Sequence, residues 1–349
     1  MRSGSRLLAV LLLAALSAFV APGFALDAPA GLRRVVVVKL GDGKFKEEGR
    51  KRWTQGFAEE GLVDGRDIAL EFEEGIASSV NNGEEPWPVQ SERRAREIAA
   101  SRPAVIVAAG DKIHLFRKVT KEVPLVFWAI GRDPVDWGLV ESYNRPGGNI
   151  TGAAFPVRGR DMEVKGTQLL KELRPDARRF GMLVDEDRAL HALRNPHREK
   201  DLEDDRLMAS KVGMEYVEIA VSRDAKPTAV VEAIRRAKID ILLCGSGSNY
   251  PPEARQFLVQ ERIPFACGDV YRDGLVYSYA SWDENGRNAI RIAAQVLRGA
   301  NPATIPVRFP SRYYTKINLN TARELGITVP ASVLLQADEV IDINPRSAR

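Results

Sequence analysis

Short apolar runs alternate with helical stretches over most of this 349-residue chain, and this alternation constrains the fold more than any other feature. Residues Arg34–Leu40 read RVVVVKL, a nearly continuous apolar run of the kind that forms a strand covered on both faces. Comparable runs recur at 104–108, 124–129, 179–184 and 239–244. Strands that alternate with helices at this spacing form parallel sheets with right-handed crossovers. The pattern therefore predicts an α/β protein.

The alternation occurs twice, which predicts two lobes with parallel sheets, joined by three crossings. A first series ends with a strand at 150–154, and a second begins with a helix at 160–173. The chain length agrees, since a domain typically needs about 150 residues. A helix at 284–298 and the tail after Pro302 have no third core to join, so each is expected to return to one of the lobes. The expected bounds are 26–154 plus about 284–306 for lobe 1 and 155–283 plus about 318–341 for lobe 2, with crossings near 154–160, 279–284 and 306–318.

The first 25 residues are typical of a secretory signal peptide. A basic start, Met1–Arg6, precedes an apolar run from Leu7 to Ala21 that only Ser17 interrupts. This run of about 15 residues is short for a membrane span, which needs roughly 20. Small residues then stand at Gly23 and Ala25, as a cleavage site requires. We expect cleavage near Ala25 and a periplasmic location, and the alternative is a retained N-terminal anchor.

Composition and motifs argue against several other classes of protein. Lys and Arg number 51 against 47 Asp and Glu, a net charge of +4 that does not indicate nucleic-acid binding. Three histidines leave little material for a metal centre. The chain has no phosphate-binding P-loop, no G-x-G-x-x-G motif and no G-x-S-x-G elbow. The sequence therefore predicts neither an enzyme, nor a cofactor, nor a metal site.

The chain has two cysteines, and their pairing stays open at the level of sequence. Cys244 and Cys267 end the apolar runs 239–244 and 263–267, which we interpret as consecutive parallel strands. Neighbouring strands lie about 4.8 Å apart, so a disulfide is geometrically possible. The other interpretation is a pair of buried thiols.

The loops that follow the predicted strands combine glycine with polar or charged residues. In open parallel sheets, ligands bind beyond the carboxyl ends of the strands, where backbone N–H groups can approach them closely. An isolated loop of this kind is usually an ordinary turn, but five at equivalent positions favour a binding cleft between the lobes. The predicted ligand-binding residues are Asp42, Gly110, Asp111, Arg132, Asp133, Ser246, Ser248, Asn249, Tyr250 and Asp269.

Aromatic side chains crowd the same strand ends. A flat ring can stack on a ligand, although most of these rings are expected to pack in cores or at the hinge, with two or three touching a ligand. The set comprises Phe127, Trp128, Trp137, Tyr250, Tyr271, Tyr277, Tyr279 and Trp282.

Several segments resemble one family of transport proteins. They are Asp133–Val135 with Gly138–Val140, the motif Arg145–Gly152 (RPGGNITG), Gln168–Pro175, Ile317–Pro330 and Leu334–Ile341. Together they resemble the periplasmic substrate-binding proteins of ABC transporters whose best-known members bind tryptophan or tyrosine. The resemblance covers 124–341 well and 33–123 more loosely.

This resemblance implies the type I periplasmic binding protein fold, in which two Rossmann-like lobes are joined by three crossings, and it implies roles for several residues. Asp133 would lie at the cleft wall of lobe 1, Ser246, Ser248 and Asn249 in a lobe 2 loop, and Asp269 at the next strand end. In amino-acid binders of this kind, an aspartate pairs with the ligand ammonium while hydroxyls and amides hold its carboxylate. The chain departs from the family pattern at 109–112, Ala-Gly-Asp-Lys, and adds Arg132. These charges leave room for a different polar or anionic ligand.

The sequence therefore predicts an exported, monomeric solute-binding protein. It would capture a small polar ligand, amino-acid-like or another small organic acid, and deliver it to an ABC permease and its ATPase at the inner membrane. A ligand-sensing partner of a membrane receptor is one alternative, and an exported hydrolase using Asp111 and Asp269 is another. A DNA-binding regulator with the same core would need a helix pair before the first lobe, and Leu26–Arg33 is too short for one.

Overall fold

The computed structural model describes most of the chain between residues 31 and 342. The predicted signal peptide lies outside the described residues. The described ranges are 31–39, 44–76, 87–130, 133–155, 161–186, 198–222, 224–244, 249–267 and 274–342.

The first sheet has five strands in the order β2-β1-β3-β4-β5, all parallel. Its central strand β3 is buried at every residue, as the continuous apolar run predicts. The strands are β1 Arg33–Val38, β2 Ile68–Glu73, β3 Val105–Ala109, β4 Leu125–Ile130 and β5 Ile150–Ala154. The helices between them are α1 Glu47–Glu59, α2 Trp87–Ala100 and α3 Ile113–Val119.

The second sheet has seven strands in the order β12-β11-β10-β9-β8-β6-β7. It is parallel except where β11 runs antiparallel to β10. The strands are β6 Arg179–Asp185, β7 Glu215–Val221, β8 Ile241–Cys244, β9 Phe265–Cys267, β10 Val276–Ala280, β11 Tyr313–Asn318 and β12 Glu339–Ile341. The helices that accompany this sheet are α4 Asp161–Leu173, α5 Arg198–Lys211, α6 Pro227–Ala237, α7 Pro252–Gln260, α9 Leu319–Leu325 and α10 Ala331–Leu334.

One further helix, α8 (Trp282–Leu297), follows a strand of the second sheet but packs on the first. Its residues Ala289 and Ala293 are fully buried in a core cluster that also contains Val35 and Phe57. The chain then returns to the second sheet through β11. The α/β class predicted from the sequence is thus confirmed.

The structure differs from the sequence interpretation at two helix starts. The sequence pattern predicts a helix over 91–100, whereas helix α2 begins at Trp87. Helix α8 begins at Trp282 because the Ser281 hydroxyl accepts a hydrogen bond from the Glu284 backbone N–H at 3.1 Å. This serine-to-glutamate spacing belongs to the capping box, a start signal that was present in the sequence.

Two hydrophobic core clusters belong to the first sheet and one to the second, and a small fourth cluster lies where the chain passes between the sheets. We call this fourth cluster the crossing cluster. It consists of Ala129, Phe155 and Ala280, with Trp128, Trp282 and Tyr313 packed against it. Among the described helices, none is long and apolar enough to cross a membrane.

Candidate functional site

The strands that precede the predicted ligand loops are neighbours in each sheet. In the first sheet, β1 pairs with β3 and β3 with β4, all parallel, so their carboxyl ends lie side by side. In the second sheet, β8 and β9 are paired in the same way. The loops selected from the sequence therefore begin at adjacent strand ends, where α/β proteins bind their ligands.

The structure does not describe the side chains of six of the ten predicted ligand residues. Asp42, Arg132, Ser246, Ser248 and Asp269 lie outside the described residues, and Asp111 is described only through its backbone. Their ligand-binding role stays a prediction.

Gly110 begins a short 3-10 turn, Gly110–Lys112, directly after β3. It is buried and has a φ of +52°, in the left-handed region that glycine adopts without steric cost. The backbone therefore reverses sharply at the end of the central strand, as a close approach to a ligand would require.

Lys112 lies at the end of this turn, and its charged group contacts another segment that belongs to the first sheet. Its side chain is buried, and Nζ donates a hydrogen bond to the Ile76 carbonyl at 2.7 Å. Lys112 thus fastens the segment that follows β2. Residues 109–112 depart from the family pattern, and the bond to Ile76 gives a structural reason for a lysine at position 112. Lys112 is therefore weaker support for an unusual ligand.

Replacing Lys112 with methionine should lower the free energy of unfolding by about 1–3 kcal/mol, because the buried Ile76 carbonyl loses a charged donor. Urea denaturation would measure the change. Lys118→Met, at an exposed position of α3, is the control and should stay within about 0.5 kcal/mol of the parent. An equal effect of both variants would show that the Ile76 contact contributes nothing specific.

The end of β2 is held by further ionic contacts. The Glu73 carboxylate accepts from Arg94 Nη2 at 2.8 Å and from the Gly75 N–H at 2.5 Å. The hydrogen bond that Arg94 donates to Glu73 raises the pKa of the Arg94 guanidinium above its ordinary value. At the next residue, the Phe45 N–H donates to Glu74, and this bond lowers the pKa of that carboxyl. These contacts tie β2 to the start of α1 and to α2.

Asp133 follows β4, and its carboxylate organises its own turn. Oδ1 accepts from the Val135 N–H at 2.8 Å, and Oδ2 accepts from the Tyr143 hydroxyl. A ligand ammonium would have to share this carboxylate with the turn. The sequence resemblance located the residue but gave no signal for its structural contacts.

Two of the predicted ligand residues lie in the described part of the loop after β8, and both are anchored. Asn249 Nδ2 donates to the Ala225 carbonyl at 2.9 Å, which joins this loop to the one after β7. Tyr250 is buried in the core of the second sheet, with its ring centroid 6.2 Å from that of Phe265. Both residues hold the base of the loop in place.

The aromatic residues expected near the strand ends fall into different environments. Phe127 and Trp137 are core residues of the first sheet. Trp128 and Trp282 instead belong to the crossing cluster, where the Trp282 ring lies 4.7 Å from that of Phe155. Tyr277 and Tyr279 stack on each other at 4.8 Å. Trp128 and Trp282 therefore lie where the chain passes between the two sheets.

Asn285, in the first turn of α8, was missed by the sequence interpretation. Its side chain is fully buried, and Oδ1 accepts from the Ala129 N–H at 2.9 Å. Ala129 has a φ of +54°, unusual for a residue with a Cβ, and the β4–β5 register shifts between Phe127 and Ile130. Asn285 thus fixes an irregularity at the end of β4, directly before the loop that carries Arg132 and Asp133. The helical period would have placed Asn285 on the same face of the predicted helix 284–298 as Ala289 and Ala293, which are fully buried.

Within the described ranges, no three histidine, cysteine, aspartate or glutamate side chains form a group that could hold a metal ion.

Comparisons of the sequence with known proteins find similarity to substrate-binding proteins. The family model described as "ABC transporter substrate binding protein" matches residues 90–341. The curated tyrosine-binding protein of Clostridioides difficile (strain R20291) is 23% identical over 313 residues, which covers 87% of this chain and 83% of that protein.

Solved structures show the same arrangement. An ABC domain from Streptococcus pneumoniae in complex with L-Trp has a TM-score of 0.70 at 22% identity, covering 89% of this chain and 100% of that chain. The leucine-binding protein LivK of Thermotoga maritima has a TM-score of 0.52 at 12% identity, covering 82% and 95%. These likenesses confirm the type I periplasmic binding protein fold.

Proposed function

Because the chain belongs to the ABC transporter substrate-binding protein family, we propose that it is an exported protein that captures an amino-acid-like ligand, or another small organic acid, and delivers it to an ABC permease. The observation that carries this proposal is the family match over 90–341, which includes strands from both sheets. Binding would take place between the two sheets, at the strand ends described above. Ligand binding would select a closed arrangement that a permease could recognise.

Tyrosine and tryptophan are the first ligands to test. A relative is named for tyrosine binding, and a similar structure contains L-Trp. The rings of Trp128 and Trp282 offer apolar faces on which an aromatic side chain could pack. Lys112 is one of the charged residues that argued against an amino-acid ligand. Because its Nζ donates a hydrogen bond to the Ile76 carbonyl, its presence has a structural reason.

Thermal unfolding of the mature chain with a panel of compounds tests the ligand class. The panel contains L-tyrosine, L-tryptophan, the other amino acids and small organic acids. We expect at least one member to raise Tm, since a ligand at 100 times its Kd stabilises by about 2.7 kcal/mol. No stabilisation by any member at millimolar concentration would reject the proposed ligand class.

Two further measurements separate the alternatives. Mass analysis of the recovered ligand should show it unchanged, whereas a hydrolase would release a converted product. Uptake of the labelled ligand should fall in cells that lack this protein. Normal uptake combined with a lost response to the ligand would instead favour a sensing role.

Export is tested by the N-terminal sequence of the protein from a periplasmic fraction. We expect the mature chain to begin at Leu26. A chain that keeps Met1 and stays with the membrane would support the retained anchor.

A further inference from the structure

A surface groove lies between the end of α4 and the start of α10. Its volume is about 450 Å³, and it is lined by Lys171, Glu172, Pro175, Pro330, Ser332 and Val333. Gln336 joins its two walls, because Nε2 donates to the Glu172 carboxylate at 3.3 Å and to the Ser332 carbonyl at 3.2 Å. The shape of the groove is therefore fixed by contacts within this chain.

An exposed leucine follows the groove residues of α10. Leu335 is 87% exposed, more than any other large apolar residue in the described ranges. Its backbone N–H donates to the Ala331 carbonyl at 3.0 Å, which fixes its position at the end of α10. A single exposed leucine is common on protein surfaces, but this one comes two positions after Val333, a groove residue. The surface thus combines an apolar protrusion with a depression.

We infer that two copies of this chain associate through this surface, with Leu335 of each copy in the groove of the other. A two-fold dimer uses the same patch on both copies, so the patch must contain both a protrusion and a depression that accepts it. Leu335 and the groove meet this requirement within one short segment. The inference does not depend on the proposed ligand, and it differs from the monomer expected from the sequence.

The charges around the groove permit contact between identical surfaces. Lys171 and Glu172 are neighbours on one wall, and Arg174 pairs with Asp176 at 3.8 Å on either side of Pro175. Opposite charges this close together leave no large field of one sign, so two copies of the surface do not repel each other. An anionic membrane or a nucleic acid would instead require a basic patch.

The groove and the candidate ligand site lie at opposite edges of the second sheet. Helix α4 ends at Leu173 and β6 begins at Arg179, so the end of α4 lies near the amino ends of the parallel strands. The predicted ligand loops instead follow the carboxyl ends of β8 and β9. Association through the groove therefore leaves these loops uncovered.

The size of the surface sets the expected strength of the association. Six groove residues and one leucine are far fewer than the roughly 20–30 residues that each partner contributes to a standard interface. Small interfaces of this kind belong to weak, transient complexes. We therefore expect a dissociation constant of about 10–100 µM.

Sedimentation velocity of the mature chain at about 1–300 µM tests the inference. The weight-average sedimentation coefficient of the wild type should rise with concentration, from the value of a monomer towards that of a dimer. Leu335→Lys should weaken the association at least about tenfold, because a charged group would have to enter the groove. Wild-type protein that stays monomeric throughout this range would overturn the inference.

Leu207→Lys is the matched control, since Leu207 is a 54% exposed leucine of α5 that does not line the groove. This variant should associate like the wild type. Both variants should keep the parent Tm within about 2 °C, because neither side chain is packed in a core, so a loss of association reflects the surface and not the fold. Equal losses of association in the two variants would contradict a role for the groove.

Photo-crosslinking in cells identifies the occupant of the groove. One strain carries Leu335→benzoylphenylalanine, and a control strain carries Leu207→benzoylphenylalanine. Irradiation should give a product that contains peptides of this chain alone in the first strain, and no such product in the control. A product that joins position 335 to an inner-membrane protein would assign the surface to a permease and overturn the inference.

Discussion

Replacing Gly152 with alanine is expected to destabilise the protein by about 3 kcal/mol or more, the upper range for overpacking a core. Gly152 lies in β5 directly opposite Phe127 of β4. A Cβ at this position would overlap the Phe127 carbonyl oxygen and lie 2.5 Å from Cδ2 of its ring. Phe127 is fully buried, so neither its ring nor its backbone can move without disturbing the sheet. Urea denaturation monitored by circular dichroism would measure the loss.

The same motif supplies a matched control. Gly148 has no atom within 4 Å of the position that a Cβ would take, and its backbone is outside the left-handed region. Gly148→Ala should therefore change the free energy of unfolding by less than about 0.5 kcal/mol. Equal effects of the two substitutions would show that the RPGGNITG motif needs glycine for another reason than the Phe127 contact.

Replacing Asn285 with leucine is expected to cost about 1–3 kcal/mol and also to weaken ligand binding. The substitution leaves the buried Ala129 N–H without its acceptor. Because Ala129 is left-handed, the end of β4 should relax, and the loop carrying Arg132 and Asp133 should lose its position. Calorimetry with the ligand found in the thermal screen would measure the affinity, and urea denaturation the stability.

Asn288 on the same helix separates the two effects. It is buried like Asn285, but its Nδ2 donates to the Phe309 carbonyl at 3.3 Å, and Phe309 is not part of β4. Asn288→Leu should lower stability while leaving ligand affinity unchanged. Equal losses of affinity in both variants would remove the special role of the β4 end. In an Ala129→Gly background, Asn285→Leu should weaken ligand binding less, since glycine keeps the left-handed conformation without strain.

The central strands could be predicted because a strand that is buried on both faces has an almost continuously apolar sequence. VVVV at 35–38 and VIVAA in β3 are wholly apolar, and the structure places both inside the first sheet. Parallel pairing then follows from the intervening helices, and with it the expectation that the loops meet at one edge. β11 and β12 carry mixed, partly exposed residues, so neither strand was recognised in the tail.

Individual contacts could not be predicted, because they depend on where distant segments come to lie. Lys112 appeared as a charge near the cleft until the fold brought the Ile76 carbonyl to it. Asp133 suggested a partner for a ligand ammonium, yet its nearest donors belong to its own turn and to Tyr143. Asn285 attracted no attention because its partner, Ala129, is 156 residues away. Polar side chains can be selected by residue type, but their partners require the tertiary structure.

A single residue, Ser281, separates the last residue of β10 from the first of α8. The strand belongs to one sheet and the helix packs on the other, so this junction is the shortest link between them. A rotation of one sheet relative to the other would require large changes in the few backbone torsion angles of this junction. The longer connections can distribute such changes over several bonds. Lengthening the junction by two glycines would therefore decouple the two halves mechanically while leaving each core intact.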